Sequence, residues 1–222
     1  MPTKKPKNAL LLTHQRITLL VMAMAKKIKE KIICVIDTET TGRRADGGEI
    51  IELGAVKYSY KNGKAKILER FFRRIRPKTN YFDPNALAVN KIDQATLRNK
   101  PSIKKVLPEF LDFIKGSILV VHRAGFDIDF IRAAIRECNL QVPNNWVCDT
   151  ARMGSMLFKK KTLHLEDMMR EFRIKRPFGR HKSWIDCVCT GRLFFKMARG
   201  YKLAELRAER FKDVRFRRKY DY

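Results

Sequence analysis

Acidic residues are scarce in this chain. Its 222 residues include only 23 Asp and Glu against 49 Lys and Arg, which leaves a formal net charge of +26 at pH 7. A hydrophobic fraction of 45% excludes a disordered polycation, because the chain has enough apolar side chains to build a core. The excess charge indicates a polyanionic partner, with nucleic acid favoured over an anionic membrane surface.

Long apolar runs are also absent. The longest, residues 17–25, has about half of the roughly 20 residues that a membrane-spanning helix needs, so we expect no membrane span. Lysines before this run and Ala23-Met24-Ala25 at its end resemble a signal peptide, but the lysines that follow argue against secretion. An alternative is that translation starts at Met22 or Met24.

No C-x-x-C pair occurs among the cysteines, and their number is odd. They are Cys34, Cys138, Cys148, Cys187 and Cys189. Three of them lie in apolar runs, which is typical of structural thiols in a reducing compartment and predicts a cytoplasmic location. Metal ligation by Cys187 and Cys189 is the alternative.

The hydrophobic pattern predicts strands and helices without an internal repeat. Asn62-Gly63 between two strand-like runs predicts a hairpin, and a long loop follows through Pro77 and Pro84. The predicted strands cover residues 32–36, 50–58, about 67–75, 117–122 and 146–148. One predicted helix opens at Pro101-Ser102 and is ended by Gly116, and the others cover residues 127–138, 162–172 and 184–197. A short C-terminal helix is predicted through Leu203, Leu206, Phe211 and Val214. Strands that first meander and then alternate with helices predict an α/β fold with a mixed sheet.

Two acids stand at the end of the first predicted strand. Asp37 and Glu39 are two residues apart, so their side chains point to the same face of the strand. Neighbouring carboxylates need a counter-charge, and Mg²⁺ or Mn²⁺ with oxygen ligands supplies it. The alternative is a solvated strand end.

Two further sites carry acids beside histidines. Asp127 lies where a buried strand turns into a helix, and the alternative role for it is a helix N-cap. His181 and Asp186 lie before and within the start of a later helix, where a loop-borne His and a helix-borne Asp can aim at one point. The alternatives are a surface histidine and an acid that favours the helix dipole.

These motifs together resemble the DEDDh exonucleases, the superfamily of the bacterial DNA polymerase III epsilon subunit and ribonuclease T. The matching segments are DTETTG from Asp37, H-x-x-x-F-D ending at Asp127 and H-x₄-D from His181 to Asp186, together with IIELGAV and the pair Asp149-Thr150. The resemblance covers residues 31–199 and implies a ribonuclease H-like fold, a five-stranded mixed sheet flanked by helices on both faces. It divides the chain into a basic N-terminal extension (1–30), an exonuclease domain (31–200) and a basic, partly helical C-terminal tail (201–222).

The resemblance also implies a role for each site residue. Asp37, Glu39, Asp127 and Asp186 would hold two divalent metal ions, Mg²⁺ or Mn²⁺, and His181 would be the general base. The implied reaction is hydrolysis of the 3′-terminal phosphodiester of single-stranded or frayed 3′ ends, with release of nucleoside 5′-monophosphates. A DNA polymerase subunit is a possible partner.

The chain departs from the family pattern at two places. Arg123 stands where the family usually has Asn, and Asn90-Lys91-Ile92 stands where His-Gly-Ile is common. Neither place supplies a metal ligand, so we expect catalysis to survive while substrate contact or local packing differs. His122 either orients Asp127 or packs at the strand end, and we expect structural roles for Glu52 and His164.

The positive charge is concentrated in two blocks. Residues 57–78 carry a net +8, and residues 159–182 carry a net +6 that leads into His181. We expect them to contact a phosphate backbone, and Phe126 or Phe178 to stack on terminal bases or pack in the core. DNA is the favoured substrate. The alternatives are an RNA 3′-end-trimming enzyme of the ribonuclease T kind and a non-catalytic nucleic-acid-binding or polymerase-scaffold module, against which the intact set of acids argues.

Overall fold

A mixed sheet of six strands forms the centre of the molecule. The computed structural model describes residues 32–61, 63–159, 164–177, 183–200 and 208–215. In chain order the strands are β1 (Ile32–Thr40), β2 (Ile50–Lys61), β3 (Lys64–Arg74), β4 (Ile118–Val121), β5 (Trp146–Asp149) and β6 (Ala208–Arg210). Their order across the sheet is β3-β2-β1-β4-β5-β6. β1, β4 and β5 are parallel, and the β1–β2, β2–β3 and β5–β6 pairs are antiparallel.

The sixth strand corrects the predicted count of five. Residues 208–210 pair with β5, and Phe211–Asp213 form a short 3₁₀ turn instead of the predicted C-terminal helix. Residues 201–207, which include Leu203 and Leu206, lie outside the described residues. Phe211 is fully buried, and the Arg210 guanidinium lies 3.8 Å from the centre of the Trp146 ring. The free edge of β5 therefore binds this segment as a strand, and helical spacing of apolar residues did not reveal that pairing.

Six α-helices flank the sheet in the described part of the chain. They are α1 (Pro84–Asn90), α2 (Ile103–Ile114), α3 (Ala124–Glu137), α4 (Thr150–Phe158), α5 (Leu165–Glu171) and α6 (Ser183–Gly200). Helices α2, α3, α5 and α6 were predicted, whereas α1 and α4 were not. Each missed helix begins directly after an aspartate that caps it, Asp83 before α1 and Asp149 before α4. Pro84 was interpreted as part of a loop, although proline is well suited to the first position of a helix.

The helices bury both faces of the sheet, as predicted. Alternate residues of β1 enter different cores, with Cys34 and Ile36 on one side and Ile33 and Val35 on the other. The first core includes side chains of α2 and α3, and the second includes side chains of α6. β1 is therefore a central strand whose carboxyl end leads into the site described below. No helix in the described residues is long and apolar enough to cross a membrane.

The cysteines are free thiols that belong to these cores. Four are buried, Cys138 is partly exposed, and none forms a disulfide. Burial raises the pKa of Cys34 and of Cys148 to about 12, which keeps both thiols protonated. Cys187 and Cys189 are buried on α6 and are not part of the acidic cluster found below. These positions agree with the predicted structural role.

Candidate active site

Three carboxylates meet at the carboxyl end of β1. Asp37 and Glu39 come from β1, and Asp186 comes from the first turn of α6, which lies across β1 and β2. One carboxylate oxygen from each of the three lies within 4.8 Å of the others. The structure thus brings together residues that are separated by more than 140 positions in the chain. The convergence of Asp37 and Glu39 on one face of β1 was predicted from their spacing.

Asp127 is fixed beside this cluster by Thr38. β1 pairs with β4 only from Ile33 to Val35, so the Thr38 amide lies beyond the parallel ladder. Asp127 Oδ1 accepts hydrogen bonds from both the Thr38 backbone N–H and the Thr38 hydroxyl, each at 2.8 Å. The carboxylate therefore takes the place of a strand partner. Asp127 lies in the first turn of α3, which begins at Ala124, and so it is not the N-cap of that helix.

Asp149 fastens the helix that carries Asp127. Its Oδ1 accepts from the backbone N–H groups of Arg123 and Ala151, and its Oδ2 accepts from Ala124. One carboxylate at the end of β5 therefore caps the starts of both α3 and α4. The Asp149-Thr150 pair was noted from the sequence only as a family feature, and this role was not predicted.

The acids raise one another's proton affinity. Burial, followed by the charges of Asp127, Glu39 and Asp186, raises the pKa of Asp37 well above its usual value. Burial, followed by the charge of Glu52, raises the pKa of Glu39 to about 8. Burial also raises the pKa of Asp127 to about 7, although the hydrogen bonds from Thr38 act in the opposite direction. Such a cluster favours a bound cation.

One arginine of the second basic block contacts the cluster directly. The Arg176 guanidinium donates to Asp186 Oδ1 and, at 2.6 Å, to Glu166 Oε1 on α5. Arg176 and Asp186 are both largely buried, whereas Glu166 is exposed. This ion pair ties Asp186 to the segment between α5 and α6, which leads to His181 in the sequence.

The carboxylates line a cavity of about 580 Å³ that opens to solvent. Its walls include Arg43 and Arg123, whose positive charges suit a phosphate, and the apolar side chains of Val89 and Phe126. Phe126 is partly buried and packs against Phe130 with ring centres 4.9 Å apart. Phe126 therefore packs on the core and also borders the cavity, while its stacking on a terminal base stays a prediction. Phe178 lies outside the described residues.

The histidines occupy different environments. His181, the expected general base, lies outside the described residues. His122 borders the cavity, and its Nδ1 lies 2.9 Å from Thr150 Oγ1 at the start of α4. His164 is exposed, and its carbonyl oxygen accepts from Met168 at the start of α5, in agreement with a structural role.

The two departures from the family pattern both involve left-handed backbone. Arg123 has φ 64° and ψ 52°, a conformation that Asn adopts more easily than Arg. Lys91 has φ 53° at the end of α1, where the glycine of the usual His-Gly-Ile is better suited. Beside it, the buried Asn90 side chain donates to the Thr40 carbonyl oxygen and accepts from the Ile92 amide. This connection holds α1 against β1.

A ribonuclease H-like sheet with acids on β1, α3 and α6 defines a class of nucleases, and comparison with known proteins identifies the family. A family model described as an exonuclease of the RNase T type matches residues 34–194. The chain belongs to the DEDDh 3′–5′ exonuclease superfamily.

Its sequence relatives include DNA polymerase III proteins. It is 34% identical over 166 residues to the DNA polymerase III PolC-type of Caldanaerobacter subterraneus, covering 73% of this chain and 11% of that protein. It is 34% identical over 177 residues to the DNA polymerase III subunit epsilon of Haemophilus influenzae, covering 75% of this chain and 67% of that protein. The chain thus spans about a tenth of the length of the PolC-type relatives.

Solved structures confirm the fold. The nuclease domain of 3'hExo, a DEDDh family member bound to rAMP, aligns with a TM-score of 0.67 at 18% identity over 81% of this chain and 96% of that one. Exonuclease X in complex with 5′ overhanging duplex DNA aligns with a TM-score of 0.59 at 24% identity over 78% of this chain and 96% of that one. The predicted ribonuclease H-like fold is therefore confirmed, with one strand more than expected.

The acidic cluster fits the metal requirement of this superfamily. Enzymes of the DEDDh type use divalent metal ions. Asp37, Glu39 and Asp186 offer oxygen ligands within 4.8 Å of one another, which is the donor set that hard divalent cations prefer.

Proposed function

We propose that this protein is a metal-dependent exonuclease that removes nucleoside 5′-monophosphates from 3′ ends, with DNA as the favoured substrate. The observation that carries the proposal is the convergence of Asp37, Glu39 and Asp186 on one point, with Asp127 fixed beside them. We place this activity in a domain of residues 31–200, with residues 1–30 as a basic extension. Residues 201–222 would be a basic tail, of which residues 208–210 add a strand to the sheet of that domain.

In this proposal, four acids hold the metal ions and the chain supplies the remaining groups. Asp37, Glu39, Asp127 and Asp186 would hold two divalent ions, Mg²⁺ or Mn²⁺. Such ions, when bound, stabilise the attacking and leaving oxygens of a phosphoryl displacement. Thr38 fixes the orientation of the Asp127 carboxylate through two donors.

We assign proton transfer to His181. A neutral imidazole with a pKa near 6.5 is suited to accept a proton from the attacking water near neutral pH. Replacement of His181 by Ala should lower kcat about 100-fold or more and leave substrate KM nearly unchanged. The rim arginines Arg43 and Arg123 would bind the backbone phosphates, and a base next to the 3′ end would lie against Phe126.

The likeness to polymerase subunits supports DNA as substrate and proofreading with a polymerase as the biological role. The likeness to a nuclease domain bound to rAMP makes RNA the alternative substrate. End-labelled single-stranded DNA and RNA of the same sequence distinguish the two, because the ratio of their kcat/KM values reports the preference directly.

The decisive test measures nucleotide release from these substrates with Mg²⁺, with Mn²⁺ or with EDTA. We expect 5′-monophosphates with either metal and none with EDTA. Asp37→Ala should abolish the activity, whereas Asp46→Asn, which removes an exposed acid paired with Arg44, is the matched control. Full activity of Asp37→Ala would refute the assignment. Binding of the labelled strand without cleavage would indicate a non-catalytic module instead.

A further inference from the structure

Glu52 on β2 is a fully buried acid outside the metal cluster. Its Oε1 accepts from the Ser183 backbone N–H at 2.9 Å and from the Ser183 hydroxyl at 2.8 Å. Its Oε2 accepts from Arg74 Nε at 3.2 Å. A buried carboxylate is costly unless its oxygens are bonded, and here each oxygen has a donor. The two bonds to Ser183 join residues that are 131 positions apart.

The contact between β2 and α6 is unusually close at this point. A Cβ atom added to Gly54 would lie 2.4 Å from Ser183 Oγ and 2.7 Å from the Ser183 carbonyl carbon. Gly54 therefore lets the first residue of α6 rest directly on the strand, and Glu52 fixes it there. We call Glu52, Gly54 and Ser183 the α6 anchor. Ser183 is itself fully buried.

The α6 anchor lies directly across the ladder from the β1 acids. Gly54 is the cross-strand partner of Asp37, and Glu52 is the cross-strand partner of Glu39. On the other side of the anchor, Ser183 is three residues before Asp186 on the same helix and two residues after His181 in the sequence. One contact thus connects β1, which carries two acids, with the helix that carries the third.

We propose that Glu52 is a positioning residue. Through its bonds to Ser183, it sets the position of Asp186 relative to Asp37 and Glu39. The inference rests on the proposed function for its link to catalysis. Displacement of reacting groups by about 1 Å can cost about 100-fold in rate, so a shift of the first turn of α6 has a large effect. Glu52 is not proposed as a metal ligand, because its oxygens are already engaged.

Two substitutions separate the effect of the length of the Glu52 side chain from the effect of its charge. Glu52→Asp keeps a negative charge near Arg74 but is one methylene shorter, so we expect it to lose the bonds to Ser183. Glu52→Gln keeps the length and places a carbonyl oxygen before the Ser183 donors but loses the charge. If the α6 anchor positions the site, Glu52→Asp should lower Mn²⁺ affinity more than Glu52→Gln does. If Glu52 serves only the ion pair with Arg74, Glu52→Gln should be the more damaging of the two substitutions.

The experiment makes two measurements on the full chain: Mn²⁺ affinity by calorimetry, and hydrogen exchange in the peptide that spans residues 183–190. Both are made at a temperature at which circular dichroism shows that each variant is folded. For Glu52→Asp we expect Mn²⁺ affinity to fall about tenfold and exchange at the start of α6 to rise. For Glu52→Gln we expect Mn²⁺ affinity within about threefold of the unmodified protein. Arg74→Gln, which removes the ion pair and leaves Ser183 bonded, is the control and should lower the melting temperature without changing exchange at Ser183.

Nucleotide release gives the second readout. Glu52→Asp should lower kcat about tenfold with substrate KM within about twofold. Should Glu52→Asp fail to fold, Ser183→Ala removes one of the two bonds and should lower Mn²⁺ affinity in the same direction. Unchanged exchange and Mn²⁺ affinity in Glu52→Asp or Ser183→Ala, or equal losses in Glu52→Asp and Glu52→Gln, would overturn the inference. If the unmodified protein releases no nucleotide, the proposed function fails, whereas the exchange measurement still decides whether the anchor orders α6.

Discussion

The stability of the metal-free protein should fall as the pH rises from about 5 to about 9. The pKa of Glu39 is raised from 4.5 to about 8, and that of Asp127 from 3.8 to about 7. The folded protein therefore holds these protons more tightly than the unfolded chain does. Their contribution to stability is complete below about pH 4, which is near the pKa of both acids in the unfolded chain. It is lost as the pH rises through their pKa values in the folded protein.

The size of the effect follows from the size of the shift. Each pKa unit corresponds to about 1.4 kcal/mol, so the shift of Glu39 from 4.5 to about 8 corresponds to on the order of 5 kcal/mol. That is a large fraction of the 5–15 kcal/mol typical of a folded domain. In a domain of this size, about 5 kcal/mol corresponds to a fall in melting temperature of roughly 10–20 °C. The shifts of Glu39 and Asp127 do not add, because the charge of Asp127 is one of the causes that raise the pKa of Glu39.

The assay is thermal unfolding in EDTA and in saturating Mg²⁺ across this pH range. Mg²⁺ should raise the melting temperature more at pH 8 than at pH 5, because the ion replaces the protons as counter-charge. Glu39→Gln should flatten the pH dependence in EDTA. Glu69→Gln is the control, since this acid is 59% exposed and paired with Lys57. A melting temperature in EDTA that does not fall between pH 5 and 9, or an equally steep fall in Glu39→Gln, would refute the reasoning.

Three further predictions concern residues around the cluster. Thr38→Val removes one of two donors to buried Asp127 and should cost about 1–3 kcal/mol in urea unfolding; a change below about 0.5 kcal/mol would contradict the importance of this bond. Arg123→Asn should stabilise the protein by up to about 1 kcal/mol, because Asn tolerates φ 64° better. Arg123→Asn should also reduce the slope of the logarithm of the single-strand binding constant against the logarithm of the salt concentration by about 0.7. An unchanged slope would exclude a phosphate contact by Arg123. Asp149→Asn should destabilise by about 1–3 kcal/mol and raise hydrogen exchange at Ala124, since an amide has only one acceptor oxygen; unchanged exchange there would contradict the double cap.

Local rules were sufficient for much of the fold and for two of the four acids of the site. The spacing of Asp37 and Glu39 determines that they share a face of β1, because side chains alternate along any strand. The buried runs of β1 and β4 and the stripes of α2 and α3 follow from the same periodicities. The contributions of Asp127 and Asp186 were inferred only from the order of the motifs, since periodicity does not say which strand faces which helix.

What was missed depends on contacts between distant segments. The two bonds from Ser183 to Glu52 and the double cap by Asp149 each need the folded sheet before their partners meet. A structural role for Glu52 is the expectation from the sequence, but its partner Ser183 is 131 positions away and becomes visible only in the folded protein. β6 was missed because three residues carry too little pattern to distinguish a strand from a helix end.

The surplus of positive charge and the small acidic cluster have separate physical roles. Arg176 contacts the cluster through Asp186, while Arg43 and Arg123 line the cavity around it. Buried carboxylates with raised pKa values repel a phosphodiester strand if they ionise without a counter-ion. Positive charge at the rim of the cavity attracts the nucleic-acid strand at long range, and salt weakens this attraction. The acidic cluster itself becomes compatible with phosphate only when a divalent cation neutralises it. Substrate attraction and the chemistry of cleavage therefore depend on different ions, and this separation explains why a chain with a charge of +26 keeps four acids together at the end of one strand.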